Sequence, residues 1–113
     1  MEQSKNYIEK MAILLNLSKT DVEILMTLHE RKKLLISEIA KYIKRSERHI
    51  RQRIQVLLEK GFLHKEIEVL KNKRIAYRYS LVSLQKMTIE LRKYILKRLD
   101  EIEKLVAQFR SEA

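Results

Sequence analysis

The sequence predicts a mainly helical fold that contains one small β-hairpin and ends in a long helix. Apolar residues recur every three or four positions through most of the chain, which is the period of an amphipathic helix. The period changes to two over residues 63–69 and 75–81, which predicts two strands. With 113 residues, 45% of them hydrophobic, the chain has material for one compact core.

Helical spacing predicts two helices and a brief strand in the first third of the chain. The first helix covers residues 4–15. The second begins after Ser18 or Thr20, whose hydroxyl groups suit an N-cap, and continues to about Arg31 or Lys32. A short apolar run at residues 34–36 then indicates a strand of one or two residues.

The next two helices have the spacing of a helix-turn-helix. Ser37 is the expected cap of a helix over residues 38–43, and Lys44-Arg45 form a short turn without glycine. The following helix, residues 46–60, begins with a serine that can cap it. It ends before Gly61, the only glycine of the chain, which can adopt the left-handed conformation that closes a helix.

The helix over residues 46–60 combines a buried stripe with a solvent side of long hydrogen-bond donors. Ile50, Ile54 and Leu57 recur on one face and are expected to be buried. Because long donors suit phosphates and base edges, the turn and the solvent side are predicted to contact DNA. The predicted contacts are Lys44, Arg45, Ser46, Arg48, His49, Arg51, Gln52 and Gln55.

Within this set, Arg48 and Gln52 are best placed for bidentate contacts to bases, because they lie near the start of the helix. Arg45, Ser46 and Arg51 are expected to hold phosphates. Arg53 lies closer to the buried stripe and is expected to extend its charged end into solvent. An ordinary solvated helix surface is the alternative to DNA contact.

The predicted hairpin carries a basic tip. Lys71, Lys73 and Arg74 are expected to contact the DNA backbone or minor groove, and the alternative is a turn that only keeps the hairpin soluble. Asn72 tolerates the left-handed turn conformation, which favours a tight turn at this tip. Tyr77 and Tyr79 share one face of the second strand, where core packing is favoured over base stacking.

Positive charge is concentrated in the middle of the chain. Residues 41–80 hold twelve basic and four acidic side chains, whereas residues 1–40 hold six of each and residues 81–113 hold seven and five. Charge clustered beside one helix favours a polyanionic partner, and nucleic acid is favoured over a membrane surface. No run of eighteen apolar residues is present and the first seventeen residues are interrupted by charges, so a cytoplasmic protein without a signal peptide is expected.

Catalytic and metal chemistry is not expected. The chain has no cysteine, and His29, His49 and His64 are far apart and lack partners at ligand spacing. We therefore expect no metal and no cofactor. No set of nucleophile, base and orienting residue and no glycine-rich phosphate loop is visible, so an enzyme is not expected.

Residues 83–109 form a helical pattern without a breaker. About 27 residues span about 40 Å, which is longer than so small a domain, so a second chain is expected to cover part of the apolar stripe. The spacing departs from strict heptads, which predicts a short and irregular coiled coil. The predicted dimerisation residues are Leu84, Met87, Leu91, Ile95, Leu99, Ile102, Val106 and Phe109, with Leu105 widening the stripe.

Several segments carry a family resemblance: LSKTDVEIL (17–25), SEIAK (37–41), Ser46 with Ile50 and Ile54, and LLEKGFL (57–63). Together with the order of elements, they resemble the winged helix-turn-helix transcription regulators, and especially the DNA-binding domains of the MarR and TrmB groups. The resemblance covers about residues 17–82 and implies a small archaeal type that dimerises through a long C-terminal helix. The wing tip differs, because it lacks the acidic residue and the glycine common in MarR wings.

The expected protein is a homodimeric regulator that binds specific sequences in double-stranded DNA. Residues 1–82 would form the winged helix-turn-helix domain with its N-terminal helix, and residues 83–113 the dimerisation helix. An architectural protein that coats DNA and a protein-interaction adaptor are the alternatives. If a small-molecule effector exists, the space between the dimerisation helix and the winged domain is where it is expected.

Overall fold

The structure is a computed structural model that describes residues 2–112, with side chains from residue 3. Residues 1 and 113, at the outer ends of the two predicted segments, lie outside the described residues. The described elements are α1 (Glu2–Leu15), α2 (Lys19–Arg31), β1 (Leu34–Leu35), α3 (Ile36–Ile43), α4 (Glu47–Glu59), β2 (Leu63–Val69), β3 (Ile75–Leu81) and α5 (Leu84–Glu112). The predicted mainly helical fold with a small hairpin and a long last helix is confirmed.

The three strands form one antiparallel sheet in the order β1-β3-β2. Leu34 pairs with Tyr79, and the hairpin runs from the Leu63–Leu81 pair to the Val69–Ile75 pair. Helices α1 to α4, the base of the sheet and the first turns of α5 enclose a single apolar core. Its largest fully buried apolar side chains are Phe62, Ile8, Met11, Ile24, Leu25, Leu28, Ile39, Ile50, Ile54, Leu57 and Met87.

Two helix starts show how the sequence sets their boundaries. Ser18 caps α2, since its Oγ accepts from the Asp21 N–H at 3.1 Å and the Asp21 carboxylate accepts from the Ser18 N–H at 3.1 Å. The expected cap at Ser37 is wrong, because α3 begins at Ile36 and Ser37 lies inside its first turn. The Glu38 carboxylate instead accepts from the Leu35 N–H at 2.8 Å, so β1 continues directly into α3.

The turn between α3 and α4 is made by an ordinary residue. Lys44 adopts the left-handed conformation, with φ 55° and ψ 49°, that glycine usually provides. The Arg45 N–H then donates to the Ala40 carbonyl at 3.1 Å. Ser46 caps α4 as expected, since its Oγ accepts from the His49 N–H at 3.1 Å. Gly61 follows α4 with a φ of 82°, which confirms its predicted role.

The hairpin turn differs in detail from the expectation. The left-handed residue of the turn is Lys73, with a φ of 64°, and not Asn72, the residue that suggested a tight turn. Asn72 closes the turn through its side chain, because its Oδ1 accepts from the Arg74 N–H at 3.0 Å. An asparagine one position earlier thus supplies a hydrogen bond rather than backbone freedom.

Helix α5 has a packed beginning and an exposed end. Met87 is fully buried in the core of its own chain, so its predicted role on a dimer surface is wrong. Leu84 and Leu91 are half-buried against the same core. Beyond Tyr94 every described residue of α5 is exposed, and the molecule measures 65 × 31 × 24 Å. Within residues 2–112, no helix combines the length and the apolar character needed to cross a membrane.

Candidate nucleic-acid interface

Helix α4 occupies the centre of the candidate interface. Its stripe of Ile50, Ile54 and Leu57 is buried. This stripe packs α4 against α2, α3 and β2. Because the stripe is buried, the opposite side of the helix must face solvent. The apolar period therefore determines which donors of α4 are available to a partner.

The outward side of α4 presents four of the predicted contacts. Arg48, Arg51, Gln52 and Gln55 are all exposed, and their spacing of three and four places them on one face. Gln55 Nε2 donates to Glu59 Oε1 at 3.4 Å. Arg48, Arg51 and Gln52 make no side-chain hydrogen bond or ion pair with any residue that the structure describes. Three long donors are thus available for an external acceptor.

A second stripe of α4 contacts α2 instead of solvent. His49 is half-buried, and its Nε2 lies 3.2 Å from Thr20 Oγ1. Arg53, one helical turn later, donates from Nε to Asp21 Oδ1 at 2.7 Å and from a terminal nitrogen to Oδ2 at 2.8 Å. The expectations that His49 lies on the solvent side and that Arg53 extends into solvent are therefore wrong. Both side chains fix α4 on the first turn of α2.

The Asp21–Arg53 pair is the buried charged contact of the core. Burial of Asp21 opposes its ionisation, but hydrogen bonds from Arg53 and Ser18 outweigh burial and lower the pKa of this carboxyl. The hydrogen bonds to Asp21 in turn raise the pKa of Arg53. The sequence analysis did not predict this pair. The available signal was an aspartate three residues after the capping serine and an arginine beside the buried stripe.

The turn before α4 contributes the three remaining members of the predicted α4 set. Lys44, Arg45 and Ser46 are exposed, but Arg45 donates to Glu23 Oε1 on α2 at 3.0 Å. This half-exposed ion pair stabilises the turn modestly. Lys44 forms no ion pair within the described part of the chain. Arg45 is therefore partly committed to the fold, whereas the Lys44 ammonium is available.

The wing, residues 63–81, carries its three predicted cations at the tip. Lys71, Lys73 and Arg74 are exposed, and among the described residues their side chains have no acidic partner. Tyr79 at the base is buried, as expected. Tyr77 is exposed, so the expectation of core packing is wrong there, because the wing extends beyond the core at this point. Lys65 Nζ lies 4.6 Å from the centre of the Tyr77 ring.

Arg78 joins the wing to α3, a contact that the sequence analysis did not find. Its Nε donates to Glu68 Oε2 on β2 at 2.6 Å, and a terminal nitrogen donates to Glu38 Oε1 at 3.0 Å. Hydrogen bonds to Glu68 raise the pKa of Arg78. Since Glu38 also caps α3, one carboxylate connects α3, β1 and the wing. Strand alternation predicts that Arg78 and Glu68 share a face of the hairpin. It does not predict the contact with Glu38, because α3 is distant in the sequence.

A cleft separates the start of α4 from the wing. Its volume is about 400 Å³, and its lining includes Glu47 and Arg51 from α4 and Leu70, Ile75 and Tyr77 from the wing. Burial raises the pKa of Tyr79 at the floor of this cleft, and the nearby charge of Arg51 acts in the opposite direction. Arg51 therefore faces the wing.

A separate cleft of about 340 Å³ lies between α5 and the end of α4. It is lined by Lys60, Phe62, Glu90 and Tyr94, among others, and Lys60 Nζ lies 4.9 Å from the Tyr94 ring centre. This is the location expected for an effector.

Solved structures of other proteins share this fold. A possible transcriptional regulator from Methanosarcina mazei Go1 superposes with a TM-score of 0.73 at 17% identity, over 89% of this chain and 87% of that one. A mutant of S. aureus MepR bound to an oligodeoxyribonucleotide has a TM-score of 0.58 at 16% identity, over 95% and 75% of the two chains. A MarR family transcriptional regulator from Silicibacter pomeroyi DSS has a TM-score of 0.56 at 16% identity, over 99% and 67%.

These similarities confirm the winged-helix fold that the sequence resemblance predicted. No protein-family model and no curated protein sequence matches the chain. At these levels of identity the fold is what is shared. Any function must therefore be argued from the side chains on α4 and the wing.

Proposed function

We propose that this protein is a transcription regulator that binds specific sequences in double-stranded DNA as a homodimer. The observation that carries the proposal is a set of donors, without partners among the described residues, on the two elements that flank one cleft. Arg48, Arg51 and Gln52 project from α4, and a three-cation tip projects from the wing. A duplex presents phosphates on both sides of each groove, so it fits donors separated in this way.

Two roles follow from the positions of these donors. Arg48 and Gln52 lie one turn apart near the start of α4, where a helix inserted in the major groove reaches base edges. Arg51 faces the wing and is placed to hold a phosphate between the two elements. Lys71, Lys73 and Arg74 would contact the backbone or the minor groove without discriminating between sequences.

The exposed end of α5 supports the homodimer. Ile95, Leu99, Ile102, Val106 and Phe109 are between 39% and 73% exposed, although their spacing forms one apolar stripe. Leu96 and Leu105 widen it with 54% and 65% exposure. An isolated helix end of this kind is stabilised when a second copy covers the stripe. Paired helices would then place two α4 helices in major grooves about 10 bp apart on one side of the duplex.

The test begins with selection of bound fragments from a random duplex pool, followed by sequencing. We expect a discrete site with approximate two-fold symmetry. If 6–10 phosphates are contacted, affinity should fall by about 10³ to 10⁵ between about 50 and 200 mM salt. Absence of binding to any duplex at low salt would contradict the proposal and favour the adaptor.

Two sets of alanine variants separate the proposed roles. Arg48→Ala with Gln52→Ala should weaken the selected site more than random DNA, because base contacts are lost. Lys71→Ala, Lys73→Ala and Arg74→Ala together should weaken both duplexes equally. Base recognition by α4 would be contradicted if each set weakened binding to the selected site and to random DNA by the same factor. A footprint that spreads continuously with protein concentration, rather than staying discrete, would indicate an architectural coat protein instead.

A further inference from the structure

The wing has an apolar face that the proposed phosphate contacts do not use. Leu63 and Tyr79, on the core-facing side of the sheet, are buried at the base. Towards the tip the same side continues with two cross-strand pairs, Ile67 with Tyr77 and Val69 with Ile75. These four residues, the apolar wing face, are exposed by 67%, 39%, 67% and 66% respectively.

The opposite side of the wing carries ion pairs instead. Lys33 Nζ lies 2.9 Å from Glu66 Oε1, and Arg78 Nε lies 2.6 Å from Glu68 Oε2. The contrast matters because exposed hairpins usually place polar side chains towards solvent on both sides of a free tip. Four adjacent large apolar side chains on one side therefore indicate a surface that a partner covers.

Cations surround the apolar wing face on three sides. Lys65 lies over the Tyr77 ring at one end, and Lys71, Lys73 and Arg74 lie at the tip. Arg51 lies across the cleft, on the same wall as Glu47. A suitable partner must then offer apolar surface immediately beside negative charge. Two copies of this face would bring their cation rims together, which disfavours self-association through it. A flat anionic membrane is also disfavoured, since the face opens towards α4 across the cleft.

Duplex DNA meets this requirement, because every phosphate of its backbone adjoins an apolar deoxyribose ring. We propose that the apolar wing face packs against the sugars lining a groove while the surrounding cations neutralise the phosphates. The inference rests on the proposed function and extends it. Wing binding then has a component that salt does not screen, because burial of apolar surface releases no counterions.

The test replaces the apolar face without changing the charge or the strand preference. Ile67→Thr, Val69→Thr and Ile75→Thr keep β-branched side chains and remove apolar surface. In the full chain, each change should weaken binding to the selected duplex about threefold to fivefold, and the triple variant about 30-fold or more. The slope of log affinity against log salt should stay that of the parent protein. The heat capacity change of binding should become less negative.

Two control variants give the comparison. Lys71→Ala, Lys73→Ala and Arg74→Ala together should reduce the salt slope by about 2.7, since each phosphate contact contributes about 0.9. Ile13→Thr makes the same chemical change on α1, where Ile13 is 79% exposed and far from the wing, and should leave affinity unchanged. If the triple threonine variant unfolds at a lower temperature than the parent, affinity and salt slope are measured on the single Val69→Thr variant, whose side chain is nearly isosteric.

The possible outcomes separate this inference from the proposed function. A parent protein that binds no duplex refutes both. A parent that binds while the threonine variants bind equally tightly refutes the apolar contact alone. A loss accompanied by a changed salt slope also refutes it, because phosphate contacts would then be responsible. The inference is likewise overturned if the threonine variants lose self-association in sedimentation, or lose binding to phosphatidylglycerol vesicles, while binding DNA normally.

Discussion

Replacing Arg53 with methionine tests whether the Asp21–Arg53 pair holds α4 in place. The Asp21 side chain is 0% exposed and the Arg53 side chain 29%, and two hydrogen bonds of 2.7 and 2.8 Å join them. Methionine keeps much of the arginine stem but leaves a buried carboxylate with only the Ser18 hydrogen bonds. Breaking such a pair costs about 3 kcal/mol of unfolding free energy, the lower end of the usual range, since water reaches Arg53.

The pH dependence supplies an independent check. In the parent protein the pKa of Asp21 is lowered. The pair therefore contributes its full stabilisation above the ordinary pKa of an aspartate, about 4. This stabilisation is lost as the pH falls through the lowered pKa. In the variant, Arg53 no longer lowers the pKa of Asp21 while burial still opposes ionisation, so the carboxyl should bind its proton at a higher pH than in the parent. The stability difference between the proteins should therefore be largest at neutral pH and shrink as the pH falls through the variant's and then the parent's pKa.

Urea unfolding at one protein concentration measures both effects. Arg48→Met is the matched control, because Arg48 lies on the same helix, is exposed and has no partner among the described residues. Its cost should stay within about 0.5 kcal/mol. The reasoning would be refuted if Arg53→Met cost no more than Arg48→Met, or if its cost did not change with pH.

Three further predictions concern backbone conformation and assembly. Gly61→Ala should lower the unfolding free energy by about 1.5 kcal/mol, because φ is 82°. A Cβ at Gly61 would also lie 3.0 Å from the flexible Glu90 side chain. Most of the loss should nevertheless persist when Gly61→Ala is combined with Glu90→Ala. Full recovery with Glu90→Ala would show that crowding, not backbone strain, is responsible. Lys32→Gly should raise the unfolding free energy measured with urea by about 1 kcal/mol. Lys32 has a φ of 74° and a ψ of −72°, in a tight turn in which the Lys33 N–H donates to the Arg31 carbonyl. A lower unfolding free energy in the variant would show that the turn is unstrained. Leu99→Lys with Ile102→Lys should give a folded monomer in light scattering, since both side chains are exposed in the single chain, and an unchanged dimer would exclude the end of α5 as the interface.

Local patterns in the sequence were sufficient for most of the fold. The Ser46 cap, the Gly61 stop and the stripe of Ile50, Ile54 and Leu57 define α4 through interactions within a few residues. The same holds for the two alternating strands. Such features depend on neighbours along the chain, so the sequence alone predicts them.

The contacts that the sequence could not predict join residues far apart in the chain. Asp21 and Arg53 are separated by 32 positions, and Glu38 and Arg78 by 40. Charged residues have many possible partners, and only the packed helices select one. Met87 was misplaced for a related reason, because a single apolar stripe cannot show where α5 leaves its own core. The end of the core at Tyr77 is likewise a tertiary property.

Helix α4 has two polar stripes, one that holds the fold together and one that carries the side chains proposed to contact DNA. His49 and Arg53 anchor the helix to α2, while Arg48, Gln52 and Gln55 point away from every packed element. In a combinatorial library that varies only Arg48, Gln52 and Gln55, nearly all members should therefore keep the parent fold. Under the proposed function, such a library could be screened for altered DNA sequence preference without first restoring stability.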